Sequence, residues 1–118
     1  MEFVAFVGED KENWGQVTAL MNRMDCEKIV IVKNNKVSGF PASSKCEMID
    51  VDTTKPLVEL KKELMTKLKE RIGMDFEVAL SIASGNGKEH MAIISALLSI
   101  PVGIRLVIFS KNGIEFVN

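Results

Sequence analysis

The sequence predicts an α/β protein, a three-layer Rossmann-like fold with a mainly parallel sheet flanked by helices and a closing β-hairpin. Two observations carry this expectation. Short runs rich in Val, Ile and Phe alternate along the chain with segments of helical period, and such alternation favours parallel strands joined by helical crossovers. Near the end, Lys111-Asn112-Gly113 separates two apolar runs as a hairpin turn does.

Taken in order, Glu2 to Val7 reads as a buried strand that stops at Gly8-Glu9-Asp10. From Asn13 the period changes. Trp14, Val17, Leu20, Met21 and Met24 fall at helical spacing, with Asn13 as N-cap and Gln16 at the third position. Lys28 to Lys33 is a second β-branched run, ended by Asn34-Asn35, and Val37 to Lys45 reads as a loop. Cys46 to Val51 alternates as a third strand. A long helix follows, capped by Thr53 or Thr54 with Pro56 in its first turn and Gly73 at its end. Leu57, Leu60, Leu64, Leu68 and Ile72 make its apolar stripe, and Glu63 and Lys67 lie on its polar face. Phe76 to Ala83 is the fourth strand, Lys88 to Ile100 the third helix, stopped by Pro101, and Ile104 to Phe109 the fifth strand. Ile114 to Val117 completes the hairpin.

The 118 residues suit one domain spanning 1–118, and 47% apolar content supplies a core. Fifteen basic against sixteen acidic residues leave a net charge of −1, which disfavours grip on duplex nucleic acid but not a small phosphorylated ligand. Cys26 and Cys46 lack metal or redox spacing and read as buried free thiols. The N-terminal apolar run is short for a signal peptide, and Met91 to Ile104 is too short and interrupted to span a bilayer. A cytoplasmic protein with no membrane contact is expected. The single histidine excludes a histidine-rich metal site, and no metal or cofactor is expected.

Right-handed crossovers place the first and fourth strands side by side, with the winding switching between them. Ligands of such sheets bind at the carboxyl ends of the strands at that point. The loops meeting there are Gly8-Glu9-Asp10 and Ser84-Gly85-Asn86-Gly87-Lys88-Glu89-His90. In the second, glycines that accept positive φ, the amides of a following helix N-terminus and the Lys88 charge together suit an anion. It is not a Walker A loop, since Ile82 and Glu89 stand where that pattern needs Gly and Ser or Thr. Nor is it the dinucleotide fingerprint, which belongs after the first strand, where only Gly8 occurs. His90 reads as a first-turn residue bonding locally, or as a polar contact or general acid-base; Glu9 and Asp10 read as solvated carboxylates. Trp14 reads as core packing, with stacking on a base as the alternative, and Lys11 and Lys88 read either as ordinary surface charges or as the cationic part of the pocket.

The order of elements, the segment "ALSIASGNGKEHMAIISALL" and the closing hairpin resemble the CARF domains, the Rossmann-like sensors of CRISPR-associated antiviral defence proteins. Ser84, Gly85, Asn86, Gly87 and Lys88 follow the pattern of that family's fourth-strand loop. The resemblance implies a dimeric sensor of a nucleotide-type ligand such as a cyclic oligoadenylate, bound by loops after the first and fourth strands. Gly8, Glu9, Ser84, Gly85, Asn86, Gly87, Lys88 and His90 are the candidate contacts. Two departures are an acidic first loop, which suits sugar or base groups better than phosphate, and a sequence that ends at Asn118 where most family members carry a DNA-binding or nuclease domain. A metal-independent ring-opening phosphodiesterase, with Lys88 stabilising the transition state, and an adaptor module with an empty pocket are the alternatives; no catalytic residue is assigned. The helix from Lys88 to Ile100 is apolar nearly all the way round, so a homodimer through it is expected.

Overall fold

A computed structural model describes residues 1–72 and 76–118. Six strands form one sheet in the order β3-β2-β1-β4-β5-β6. They are β1 (Glu2–Val7), β2 (Ile29–Asn34), β3 (Cys46–Val51), β4 (Glu77–Ser81), β5 (Gly103–Ser110) and β6 (Gly113–Phe116). The first five pair in parallel and β6 returns antiparallel to β5. Winding reverses between β1 and β4, where Phe3 lies against Ala79 and Ala5 against Ser81. The expected α/β Rossmann-like architecture, hairpin included, is the one observed.

The sequence pattern explains the layering. β1 is buried at all six positions, as a central strand covered on both faces must be. Edge strand β3 is buried only at Ile49 and Val51. On one face, α1 (Trp14–Arg23) packs Trp14, Val17, Leu20 and Met21 onto Phe3, Ala5, Val7, Ile29 and Ile31. On the other, α2 (Leu57–Arg71) and α3 (Gly87–Ser99) share a core. Leu60, Leu64 and Leu68 of α2 cluster there with Ala92, Ile93, Ala96 and Leu97 of α3 and with Val4, Phe6, Val78 and Leu80 of the sheet.

Helix starts differ from their expected form. Asn13 ends a 3-10 turn (Lys11–Asn13) and puts no side-chain cap on α1. Its amide bonds Asp10 instead. Pro56, rather than Thr53 or Thr54, precedes the first residue of α2. Thr54 bonds the Asp52 carboxylate, and Thr53 accepts from Asn34 Nδ2 at 2.8 Å. Both threonines are therefore engaged in the loop at the ends of β2 and β3. The expected stop at Gly73 lies outside the described residues.

The apolar character of α3 has an explanation inside the chain. It touches both the sheet and α2, so more than one stripe must be apolar, and Ala92 and Ala96 belong to the core it shares with α2. What stays outside is Met91 at 58% exposure and Leu98 at 61%. The two cysteines are free but only half-buried, and burial pushes the Cys26 thiol up. Among the described residues no helix is long and apolar enough to cross a membrane.

Candidate functional site at the switch point

β1 and β4 end side by side, so the loops that follow them must either repel or interlock. They interlock through Ser84, which has no exposed surface. Gly8 N–H donates to Ser84 Oγ at 2.9 Å, and the hydroxyl donates to Asp10 Oδ1 at 2.7 Å. Gly85 N–H reaches the same oxygen at 3.0 Å, while Asn13 Nδ2 donates to Asp10 Oδ2 at 2.8 Å. Asp10 is thus a clamp between the loops and not a solvated carboxylate. Burial alone would raise its pKa; the bonds from Asn13, Ser84 and Gly85 outweigh that and hold it below 3.8.

Two glycines make this approach possible. A Cβ on Gly8 would stand 2.8 Å from Gly85 Cα. Gly85 has φ +103°, and a Cβ there would meet Phe6 Cδ1 at 2.9 Å and Glu89 Oε1 at 3.1 Å. Gly87 carries no such demand. It opens α3 with no positive φ and has open space around it, so the conformational role expected of the glycine pair rests on Gly85 alone.

The start of α3 is closed by a reciprocal cap. Asn86 Oδ1 accepts the Glu89 N–H and Glu89 Oε1 accepts the Asn86 N–H, each at 2.9 Å. Glu89 is 4% exposed, and burial pushes its carboxyl up despite the Asn86 bond. His90 places Nε2 2.8 Å from the Ser84 carbonyl oxygen. That oxygen only accepts, so Nε2 carries the proton and the ring holds the loop in place. Lys88 Nζ donates to the Thr53 carbonyl at 2.9 Å, tying α3 to the β3–α2 loop. Trp14, nine-tenths buried, donates its indole N–H to the Gly8 carbonyl at 2.9 Å, consistent with its reading as core.

Beside this clamp lies a cleft of about 350 Å³. Glu9, Asp10, Gly85, Asn86 and Glu89 line it from the β1 and β4 side, and Asn34, Lys36, Thr53 and Thr54 from the ends of β2 and β3. Of the residues expected from sequence, Glu9, Gly85 and Asn86 face the cleft. Gly8 and Ser84 build its wall from behind, whereas Gly87, Lys88 and His90 do not line it. Asn34, Lys36, Thr53, Thr54, Asp10 and Glu89 were not among the expected contacts. That ligands bind at the carboxyl ends of parallel strands could have pointed to the first four, since Asn34 ends β2, Lys36 follows it, and Thr53 and Thr54 follow β3; the roles of Asp10 and Glu89 needed the fold. The amides of the loop residues that line the cleft are also spoken for, Gly85 by Asp10, Asn86 by Glu89 and Glu89 by Asn86, while Gly87 and Lys88, whose amides open α3, do not line it. Among the described residues no three His, Cys, Asp or Glu side chains converge as a metal site.

Fold and cleft define an α/β domain of Rossmann-like topology with a polar recess at its switch point. No family model matches the chain, and neither a curated protein nor a solved structure matches it.

Proposed function

We propose that this chain is a CARF-like ligand-sensing domain that binds a nucleotide-type ligand at the carboxyl ends of its central strands. The observation that carries the reading is the switch-point cleft, whose walls are held by the Asp10–Ser84 clamp rather than left to mobile side chains. A preorganised recess loses little freedom when a ligand enters. Its lining mixes carboxylate and amide acceptors from Glu9, Glu89, Asn34 and Asn86 with hydroxyls of Thr53 and Thr54 and the Lys36 ammonium. That inventory suits ribose hydroxyls and the amino edge of a base, which donate hydrogen bonds to carboxylates and amide oxygens.

The sensor is proposed to act as a homodimer, its copies meeting through the outward side of α3 at Met91 and Leu98. Ile108 and Val117, at 41% and 56% exposure on the β5–β6 side, extend the apolar surface available to a second copy.

Calorimetric titration with linear and cyclic oligoadenylates tests the ligand. Binding that is lost in Thr53→Tyr, a substitution that fills the cleft, supports the reading. No binding of any oligoadenylate at millimolar concentration refutes it. Light scattering tests the assembly: a dimer that Leu98→Glu converts to monomer is expected, and a wild-type monomer at micromolar concentration overturns this part.

A further inference from the structure

We infer that the anionic group of the ligand is held by Lys11 and Lys36, in a cavity adjoining the cleft, and not by the glycine loop that opens α3. This deepens the proposed function, on which it rests for the uncharged part of the ligand.

The glycine loop is poorly placed for an anion. The Gly85 and Asn86 amides point at the carboxylates of Asp10 and Glu89, and Lys88 is bound to the Thr53 carbonyl. Glu9, Asp10 and Glu89 all line the neighbouring cleft. A phosphate there would stand among three carboxyl groups, with the nearest amides already bonded.

A second cavity of about 220 Å³ opens on the other side of Glu9 and Lys36, which line both spaces. Lys11, Trp14, Val37 and Ser38 complete it. Its charge balance is reversed, with two lysines to one glutamate. Neither lysine forms an ion pair within 4 Å among the described residues, as Lys88 does not; Lys36 acts on the Asp52 carboxyl only through its charge, with no ion pair to it. Lys11 lies over the Trp14 ring, 5.8 Å from its centroid. Trp14 is itself fixed by its bond to Gly8 and by edge-on packing against Phe40, so the ammonium of Lys11 has a rigid platform. The Ser38 side chain adds a hydroxyl donor. A ligand with a phosphate seated here and a hydroxyl- or amino-bearing body in the larger cleft passes over the shared Glu9–Lys36 ridge. This pairing of an anionic head with a donor-rich body is the ligand class the two spaces fit together.

Inorganic pyrophosphate is the probe, because it tests the anion site without any nucleoside. Titration of wild type, Lys11→Ala, Lys36→Ala and Lys88→Ala is followed by calorimetry at low salt, with circular dichroism confirming that each variant is folded. All three lysines lie at the surface or on a loop, so the fold is expected to survive. Lys11→Ala and Lys36→Ala are expected to weaken binding about tenfold each, the lower end for a charge-assisted hydrogen bond at a partly exposed site. Lys88→Ala should change it less than about twofold, within the scale of a distant surface charge. Loss of binding in Lys88→Ala alone, unchanged affinity in the other two, or no binding of pyrophosphate to wild type would each overturn the inference. Oligoadenylate titration judges the other reading separately. Pyrophosphate bound through Lys11 and Lys36 without any oligoadenylate binding would refute the nucleotide reading and leave the anion site standing.

Discussion

Removing the Asp10 carboxylate should loosen the switch point by an amount that can be worked from its partners. In Asp10→Ala the fully buried Ser84 hydroxyl loses its acceptor, and an orphaned buried donor costs about 1–3 kcal/mol. Gly85 N–H and Asn13 Nδ2 also lose their acceptor, but both lie where water can replace much of it. The expected total is about 2–3 kcal/mol. Asp10→Asn keeps an oxygen toward Ser84 and Gly85 and lets the Asn13 amide turn over, so it loses mainly charge assistance, about 1 kcal/mol. Ser84→Ala strands the buried Gly8 N–H and should cost about 1–3 kcal/mol. Because the hydroxyl joins both partners, the double variant Asp10→Ala/Ser84→Ala should cost less than the sum by at least about 0.5 kcal/mol. Urea denaturation followed by Trp14 fluorescence measures this, since the only tryptophan is bonded to Gly8 inside the clamp. The acid limb gives a second test. The folded pKa of Asp10 lies below 3.8, so its contribution is present above 3.8 and is lost as pH falls through the folded value. Asp10→Asn should lack that part of the acid loss. Additive single costs, or an Asp10→Ala variant within 0.5 kcal/mol of wild type, would refute the clamp.

Three further outcomes follow from the same geometry. Gly85→Ala should cost about 1–3 kcal/mol or more, from positive φ and contact with Phe6, whereas Gly87→Ala at the first helical position should be neutral or stabilising by up to about 1 kcal/mol; thermal melts of both separate them. Glu89 has its folded pKa raised above 4.5 by burial, so ionisation destabilises the fold as pH rises from 4.5 through the folded value. Glu89→Gln, which still accepts from Asn86 N–H, should remove that slope and match or exceed wild-type stability at neutral pH, while Glu89→Ala, which loses the cap, should cost about 1 kcal/mol in urea. Leu64→Ala should cost about 2–5 kcal/mol, since the side chain is fully buried between α2 and the sheet, against about 0–1 kcal/mol for Lys67→Ala, whose bonds to Glu63 and the Asp50 carbonyl lie near the surface. Equal losses in chemical denaturation would mean that α2 turns a different face inward.

Local pattern alone determined most of the architecture, because strands and helices leave different periods. The runs around Val4, Val30 and Leu80 and the stripe Leu60, Leu64 and Leu68 were legible as core, and their alternation implied the strand order and the place where two loops meet. Chemistry at that meeting point was not legible, since it depends on which groups satisfy one another across 74 or 75 residues of chain, as Asp10 does with Ser84 and Gly85. Sequence shows that an aspartate, a serine and a glycine-rich loop exist; only the close packing of β1 against β4 makes the carboxylate consume the loop's hydroxyl and amide. The same holds for α3. Its composition demanded extra burial, but α2 supplies most of it, and only the tertiary structure could show that a helix apolar on several sides has two neighbours within its own chain. Lys36 and Thr53, more than twenty residues from either loop in sequence, enter the cleft for the same reason: parallel strands gather their carboxyl ends at one edge of the sheet.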